Sequence, residues 1–157
     1  MKKNILAAGI LALLAGAVCA QQPPQPEDLI KFRQAGYKFM AWNMGRIKAS
    51  LEGGYNRDEV VKAANVIAAV ANSGMGALFA PGTESRPGGP HTHAKPELFT
   101  DKEGVAKVAT AFNREANELA RIAATGDAAA VRTQFGNLVE ACKACHKDYR
   151  LEEKHEH

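Results

Sequence analysis

The segment EACKACHKDYR, residues 140–150, carries two cysteines and a histidine close to the C-terminal end of the sequence. In a helix, Cys142, Cys145 and His146 are three and four residues apart, so their side chains share one face. An apolar stripe with the same helical spacing precedes them and is formed by Val131, Phe135 and Leu138. The segment therefore predicts an amphipathic helix that directs these three groups toward the interior of a helical domain.

Upstream of this helix, the apolar periodicity predicts three more helices. The first runs from Glu27 to about Leu51 and stops at the glycine pair 53–54. Its predicted buried stripe contains Leu29, Phe32, Gly36, Met40, Ile47 and Leu51, interrupted by Asn43. The second opens with a capping box, Asn56 with Glu59, and its stripe continues to Leu78.

The third predicted helix also opens with a capping box, Thr100 with Glu103. Gly126 ends it, and Asp127 then caps the helix that carries the cysteines. The Pro- and Gly-rich residues 80–96 form a long loop, whereas the other connections are short. No segment alternates with period two, so the sequence predicts an all-α, antiparallel up-down-up-down four-helix bundle.

The C-x-x-C-H spacing at Cys142, Cys145 and His146 has three chemical interpretations. A structural zinc site needs four ligands, and the sequence offers no second C-x-x-C and no histidine pair at finger spacing. A thioredoxin-type dithiol is expected near a βαβ pattern, which is missing from the sequence. The remaining interpretation is covalent attachment of haem c, with two thioethers from the cysteines and an axial imidazole on the iron.

The N-terminal residues predict export. Lys2 and Lys3 precede an uncharged apolar stretch from Ile5 to Val18, which is too short to span a bilayer and is typical of a signal peptide. We expect cleavage after residue 20, because Val18 is a poor fit to a lipoprotein site at Cys19. Residues 1–20 are thus the predicted signal peptide and residues 21–157 the predicted domain.

The charge of the chain gives little reason to expect a charged partner. The net charge is +3 over 157 residues, and loss of the two N-terminal lysines brings it closer to zero. We therefore expect neither nucleic acid nor, after cleavage, a membrane as partner. The expected location is the periplasm, where haem attachment to exported chains takes place.

Three separated segments resemble the cytochrome c-prime family of class II c-type cytochromes. PEDLIKFRQAGYKFMAWNMGRIK at 26–48 resembles the first helix of that family, FAPGTE at 79–84 the turn after the second helix, and CKACHKDYR at 142–150 the haem segment. The resemblance extends over essentially the whole mature chain. It implies the four-helix bundle with one covalent haem c.

On the proximal side of the haem, the resemblance implies roles for four residues. Cys142 and Cys145 are the expected thioether anchors, and His146 is the expected axial ligand of the iron. Arg150 lies one helical turn after His146 and is expected to pack beside its imidazole.

On the distal side, the resemblance implies a crowded face without a protein ligand. Tyr37, three positions after the Arg-Gln pair, is expected to cover an open iron site as an uncharged phenol. Phe79 is expected to line the same pocket, and Arg33 to reach a haem propionate. Met40 is the first candidate for a thioether ligand, ahead of Met44 and Met75, which are otherwise core filler.

The expected activity is binding of small gases to a five-coordinate, high-spin iron. The expected ligands are NO and CO, with NO binding or detoxification as the role and one-electron transfer as a further capacity. The alternative is a six-coordinate, low-spin carrier that serves periplasmic redox partners. No acid–base pair or nucleophile triad suggests an enzyme.

Two further expectations concern the surface of the molecule. A homodimer packed through the first helix is expected, and an exposed Trp42 would favour it. The histidines of the 81–96 loop (His91 and His93) and of the C-terminus (His155 and His157) are expected to be solvated.

Overall fold

The computed structural model describes residues 24–85, 87–88 and 91–152. The predicted signal peptide, residues 1–20, and the C-terminal histidines lie outside the described residues. Within them, four long helices form the framework: α1 Pro26–Glu52, α2 Arg57–Ala71, α4 Lys102–Thr125 and α5 Ala128–Tyr149. A 3-10 helix, Met75–Leu78, and the short α3, Glu97–Thr100, lie in the long connection between α2 and α4. This confirms the predicted helical bundle.

The core consists of apolar side chains from all four long helices. The largest fully buried ones are Ile47 from α1, Val60 and Ile67 from α2, Leu119 from α4, and Val131 and Leu138 from α5. Each such side chain removed from water contributes about 1.5–3 kcal/mol to folding. Burial of these side chains therefore holds the four helices together.

Two capping predictions are only partly right. Asn56 does cap α2, because its side chain accepts a hydrogen bond from the backbone N–H of Glu59. The backbone N–H of Asn56, however, donates to Ser50 Oγ and not to Glu59, whose carboxylate binds Arg46 and Lys62, so the reciprocal half of the box is absent. At α4 the cap is Asp101, which accepts from Gly104 N–H, because Thr100 belongs to the last turn of α3.

The second helix ends earlier than predicted. Its stripe was expected to reach Leu78, but α2 stops at Ala71. Gly74 follows with a φ of +83°, a left-handed conformation that glycine adopts without strain. The chain then forms the 3-10 helix, which brings Phe79 back toward α1.

The buried face of α1 also differs from the prediction. Phe32 is 58% exposed, whereas its neighbour Arg33 is 3% exposed. Asn43, which interrupts the stripe, is fully buried; it donates to the carbonyl of Phe39 and accepts from Arg46. A buried polar group is tolerated where it is hydrogen-bonded, and apolar periodicity does not report this.

One side of the bundle is open. Helix α4 packs against α2 and α5, and α2 packs against α1, but α1 and α5 make little direct contact. An apolar cavity of about 420 Å³ lies between α1 and α5, lined by residues that include Met44, Leu51, Phe135 and Val139. None of the helices in the described part of the chain is both long and apolar enough to cross a bilayer.

Candidate haem site

The cysteines and the histidine lie on the last two turns of α5, facing the open side of the bundle. Cys142 and Cys145 are free thiols and are partly buried, and Cys142 packs on the apolar core. Burial raises the pKa of both thiols; the charge of Cys145 raises that of Cys142 further, and Asp148 raises that of Cys145. His146 is exposed, yet partial desolvation of its ring lowers the pKa, and the charge of Arg150 lowers it further. The imidazole is therefore neutral at pH 7, as a metal ligand must be.

Tyr37 faces these groups from α1. Its side chain is 43% exposed, but desolvation of the phenol raises its pKa to about 12, and the charges of Cys145 and Cys142 add to the rise. Tyr37 is therefore an uncharged phenol at neutral pH. Tyr37 lies close enough to Cys145 and Cys142 for their charges to act on its phenol.

Phe79 joins Tyr37 in an aromatic wall. The two ring centroids are 6.4 Å apart, and the ring of Phe99, which sequence reasoning missed, lies 6.3 Å from that of Phe79. The guanidinium of Arg33 lies over the ring of Phe79, 4.7 Å from the ring centroid. The structure thus brings Arg33, Tyr37 and Phe79 together at one end of the bundle.

Arg33 makes four hydrogen bonds through its two Nη atoms. Nη1 donates to Thr83 Oγ1 at 2.7 Å and to the Leu78 carbonyl at 3.3 Å. Nη2 donates to the Thr83 carbonyl at 2.5 Å and to Thr92 Oγ1 at 2.7 Å. An arginine has five N–H donors, so Nε–H alone remains for a haem propionate. Thr83 and Thr92 were not predicted, because contacts across 50 and 59 residues leave no local pattern.

The three candidate methionines are engaged in packing. Met40 is 5% exposed and belongs to the apolar core. The Met75 side chain lies against Gly36, where its Cε would be 3.0 Å from an added Cβ. Met44 packs on the core and lines the cavity between α1 and α5.

These residues fit a haem in three respects. Two thiols and an imidazole occur at the spacing of haem attachment, and the described chain gathers no group of three or more His, Cys, Asp and Glu side chains that could hold a metal ion by itself. The rings of Tyr37, Phe79 and Phe99 offer an aromatic surface for a planar group. The four hydrogen-bond acceptors of Arg33 are neutral oxygens, and although desolvation lowers the pKa of the guanidinium, the nearby Glu84 carboxylate acts in the opposite direction. A propionate would add a further negative charge beside this buried cation.

A four-helix bundle with C-x-x-C-H on its last helix defines a class, the c-type haem proteins built on a helical bundle. The family model described as Cytochrome C' matches residues 28–150. The chain therefore belongs to the cytochrome c' family and binds haem c covalently. This confirms the resemblance seen in the three sequence segments.

Individual relatives agree with this assignment. The chain is 58% identical over 130 residues to cytochrome c' of Rhodocyclus tenuis, covering 82% of this chain and 98% of that one. It is 56% identical to a cytochrome c' of known structure described as having an unusual ligand-controlled dimer dissociation, with a TM-score of 0.80 and coverage of 83% and 100%. A nitric oxide complex of a mutant cytochrome c prime from Alcaligenes xylosoxidans is 28% identical, with a TM-score of 0.74 and coverage of 84% and 100%.

Proposed function

We propose that this protein is a periplasmic haem c protein that binds NO and CO at an open, five-coordinate, high-spin iron. When bound, haem c supplies an iron that takes a diatomic gas at an axial position and exchanges one electron. The observation that carries the proposal is the α1 wall opposite the cysteines, where an uncharged Tyr37 stands and no methionine is free of packing. NO binding or detoxification is the proposed role, with one-electron transfer as a further capacity and no enzymatic turnover.

The proximal roles follow from the order of groups on α5. Cys142 and Cys145, one turn apart, hold the haem through two thioether bonds. His146, adjacent to the second cysteine, is the axial ligand of the iron. Arg150 restricts the proximal side, and its charge adds to the desolvation that lowers the pKa of His146.

The distal roles fall to the aromatic wall. Tyr37 and Phe79 crowd the gas site, which disfavours ligands larger than a diatomic molecule. We propose that Tyr37 covers the open face as an uncharged phenol, in keeping with the desolvation that raises its pKa to about 12. Arg33 offers a propionate its charge and its Nε–H, while its other donors hold the neighbouring loop.

The alternative is a low-spin electron carrier with Met40 as the sixth ligand. Met40 follows Tyr37 by three residues and so lies near the same face of α1. Its burial within the core cluster favours the gas-binding proposal over this alternative. The nitric oxide complex of the Alcaligenes xylosoxidans relative points the same way.

We further propose that two copies associate through an exposed aromatic patch on α1, formed by Phe32, Phe39 and Trp42. These side chains are 58%, 49% and 57% exposed, and Phe39 and Trp42 stack with centroids 5.7 Å apart. Large aromatic side chains that remain exposed on one helix face favour burial at an interface. Since a relative shows ligand-controlled dimer dissociation, we expect gas binding to loosen this dimer as well.

The test of the gas-binding proposal is a titration of the ferric and ferrous holoprotein with NO and CO, followed by absorption. The proposal predicts high-spin spectra that change with NO, and with CO in the ferrous state. Spectra that neither gas alters would support the Met40-ligated carrier instead. Met40→Leu would then be the next variant, because loss of a ligand would convert the spectrum to high spin.

A further inference from the structure

The loop between the 3-10 helix and α3 has two limbs, residues 79–85 and 91–95, which we call the strap. Ser85 N–H donates to the carbonyl of Ala94 at 2.9 Å, so the two limbs are bonded to each other. Within the second limb, Thr92 Oγ1 accepts a hydrogen bond from the backbone N–H of Ala94 at 3.3 Å. The strap is therefore held together by its own hydrogen bonds, besides connecting the 3-10 helix to α3.

One end of the strap is fastened to α1 by Arg33. Its Nη2 bridges the limbs directly, because it donates to Thr83 of the first limb and to Thr92 of the second. Thr83 and Thr92 are 0% and 6% exposed. The Thr83 hydroxyl accepts from Arg33 and donates to the carbonyl of Ala80 at 2.8 Å. Arg33 is one helical turn before Tyr37, so this end of the strap lies at the distal wall.

The other end of the strap is fastened to the end of α5. Ala94 pairs with Arg150 in an antiparallel bridge. Lys95 N–H donates to the carbonyl of Tyr149 at 3.0 Å, and Leu151 N–H donates to the carbonyl of His93 at 2.8 Å. The backbone that carries Arg150, one turn after His146, is thus held by the second limb.

We propose that Arg33 is a positioning residue for the proximal side of the haem. By clamping both limbs of the strap, it fixes the strap against the end of α5 and so sets the position of Arg150 relative to His146. The inference rests on the proposed roles of His146 and Arg150. It links the two faces of the haem site through protein hydrogen bonds, from Arg33 on α1, one turn before Tyr37, to the backbone of Arg150 beyond α5.

The guanidinium is suited to this task in a way that a lysine is not. Its planar fork directs several donors along fixed directions, so it can hold two limbs at once. A lysine ammonium at the same place carries the charge on a single flexible point. Arg33→Lys therefore keeps the charge of the clamp but loses its bridging geometry.

The first test measures amide hydrogen exchange in the ferric holoprotein for Thr92→Val, Thr83→Val and Arg33→Lys. Valine has nearly the shape of threonine but cannot accept a hydrogen bond. We expect the amides of Lys95 and Leu151 to exchange on the order of tenfold faster in each variant. Thr125→Val, at an exposed position at the end of α4, is the matched control and should leave both rates unchanged.

The second test is a double-mutant cycle on CO affinity of the ferrous holoprotein. If Arg33 acts through Arg150, Thr92→Val shifts the affinity by about threefold or more in the wild-type background and not in Arg150→Ala. Equal shifts in both backgrounds, or unchanged exchange at Leu151 in all three variants, would overturn the inference. A protein that binds no CO would refute the proposed function. The hydrogen-exchange rates of Lys95 and Leu151 would still decide the role of the strap in that case.

Discussion

We propose that Tyr37 covers the distal side through its size. Desolvation raises the pKa of its phenol to about 12, so the side chain is uncharged at neutral pH and its proposed contribution is steric. Steric crowding at a packed site costs about 1–3 kcal/mol of free energy. A change of about 1.4 kcal/mol in binding free energy corresponds to a tenfold change in the dissociation constant. On this proposal, Tyr37 and Phe79 together set the steric cost of gas binding.

Substitution of Tyr37 tests that role. Tyr37→Phe keeps the ring, so we predict that the ferric spectrum at pH 7 stays that of the wild type. Tyr37→Ala removes the cover and should raise CO affinity by about tenfold or more. CO titration of both variants checks this, and a spectral change on Tyr37→Phe alone would mean that the hydroxyl coordinates the iron.

The burial of Arg33 could not be predicted from the apolar periodicity of the sequence. The motif resemblance singled it out as a site residue, but apolar periodicity placed Phe32 in the core and left Arg33 to the surface side of α1. The reverse is observed, because the strap supplies hydrogen-bond acceptors that make burial of the guanidinium favourable. Those acceptors come from residues about 50 positions away, and no local pattern encodes them.

At the scale of elements, the end of α5 is tied to the start of α4 by a single hydrogen bond. Tyr149 is 6% exposed and its hydroxyl donates to Asp101 Oδ2 at 2.6 Å. This bond raises the pKa of Tyr149 to about 12 and lowers that of Asp101. The haem-bearing helix is thereby anchored to the N-terminal cap of its neighbour.

Tyr149→Phe should lower stability at neutral pH and flatten its pH dependence. The Tyr149 contribution is present below the ordinary tyrosine pKa, about 10, and is lost as the pH rises from 10 to 12. The Asp101 contribution is present above its ordinary pKa of 3.8 and is lost as the pH falls below it. Both slopes should diminish in the variant, as measured by urea unfolding across pH.

Tyr55→Phe is the matched control for that experiment. The Tyr55 hydroxyl is buried and has no hydrogen-bond partner among the described residues. Its removal should leave stability unchanged or slightly raised at every pH. An equal loss in both variants would contradict the specific role of the Tyr149–Asp101 bond.

The N-terminal cap of α5 contributes to stability, and the size of its contribution can be predicted. Asp127 accepts from Ala130 N–H at 2.8 Å. Asp127→Ala should cost about 1 kcal/mol of unfolding free energy, whereas Asp127→Asn keeps an acceptor and should recover most of it. Denaturant unfolding distinguishes the two, and an equal cost for both would rule out capping as the cause.

The helices themselves were largely predictable, and their connections were not. The bounds of α1, α4 and α5 follow from apolar spacing and from the stop and cap residues that the sequence displays. The early end of α2 depends on Gly74 and on the approach of Phe79 to α1. That approach is a tertiary contact, as is the choice of Asp101 over Thr100 as a cap.

At the scale of the whole molecule, we propose that the aromatic patch of Phe32, Phe39 and Trp42 mediates dimer assembly. Trp42 is also covered from one side by Arg46, whose guanidinium lies 4.8 Å from the ring centroid. Such a rigid aromatic group beside an arginine is typical of interface centres. The patch lies on the same helix as Tyr37, so the proposed dimer interface and the proposed gas site share α1.

Trp42→Glu should convert a dimer to a monomer, because it places a charge in the apolar centre of the patch. Sedimentation of the holoprotein measures this, with Ala109→Glu at an exposed position of α4 as control. The same experiment on the wild type with saturating CO tests whether ligand loosens the dimer. A wild type that sediments as a monomer without ligand would refute the proposed interface.

We propose that the iron has one protein ligand, His146, and that its opposite face, under Tyr37, is open. Low-temperature electron paramagnetic resonance of the ferric holoprotein at pH 7 tests it most directly, because the signal reports the number and strength of axial ligands. Our account predicts a high-spin signal that is retained in Met40→Leu. A low-spin signal that becomes high-spin in Met40→Leu would contradict it and identify an electron carrier.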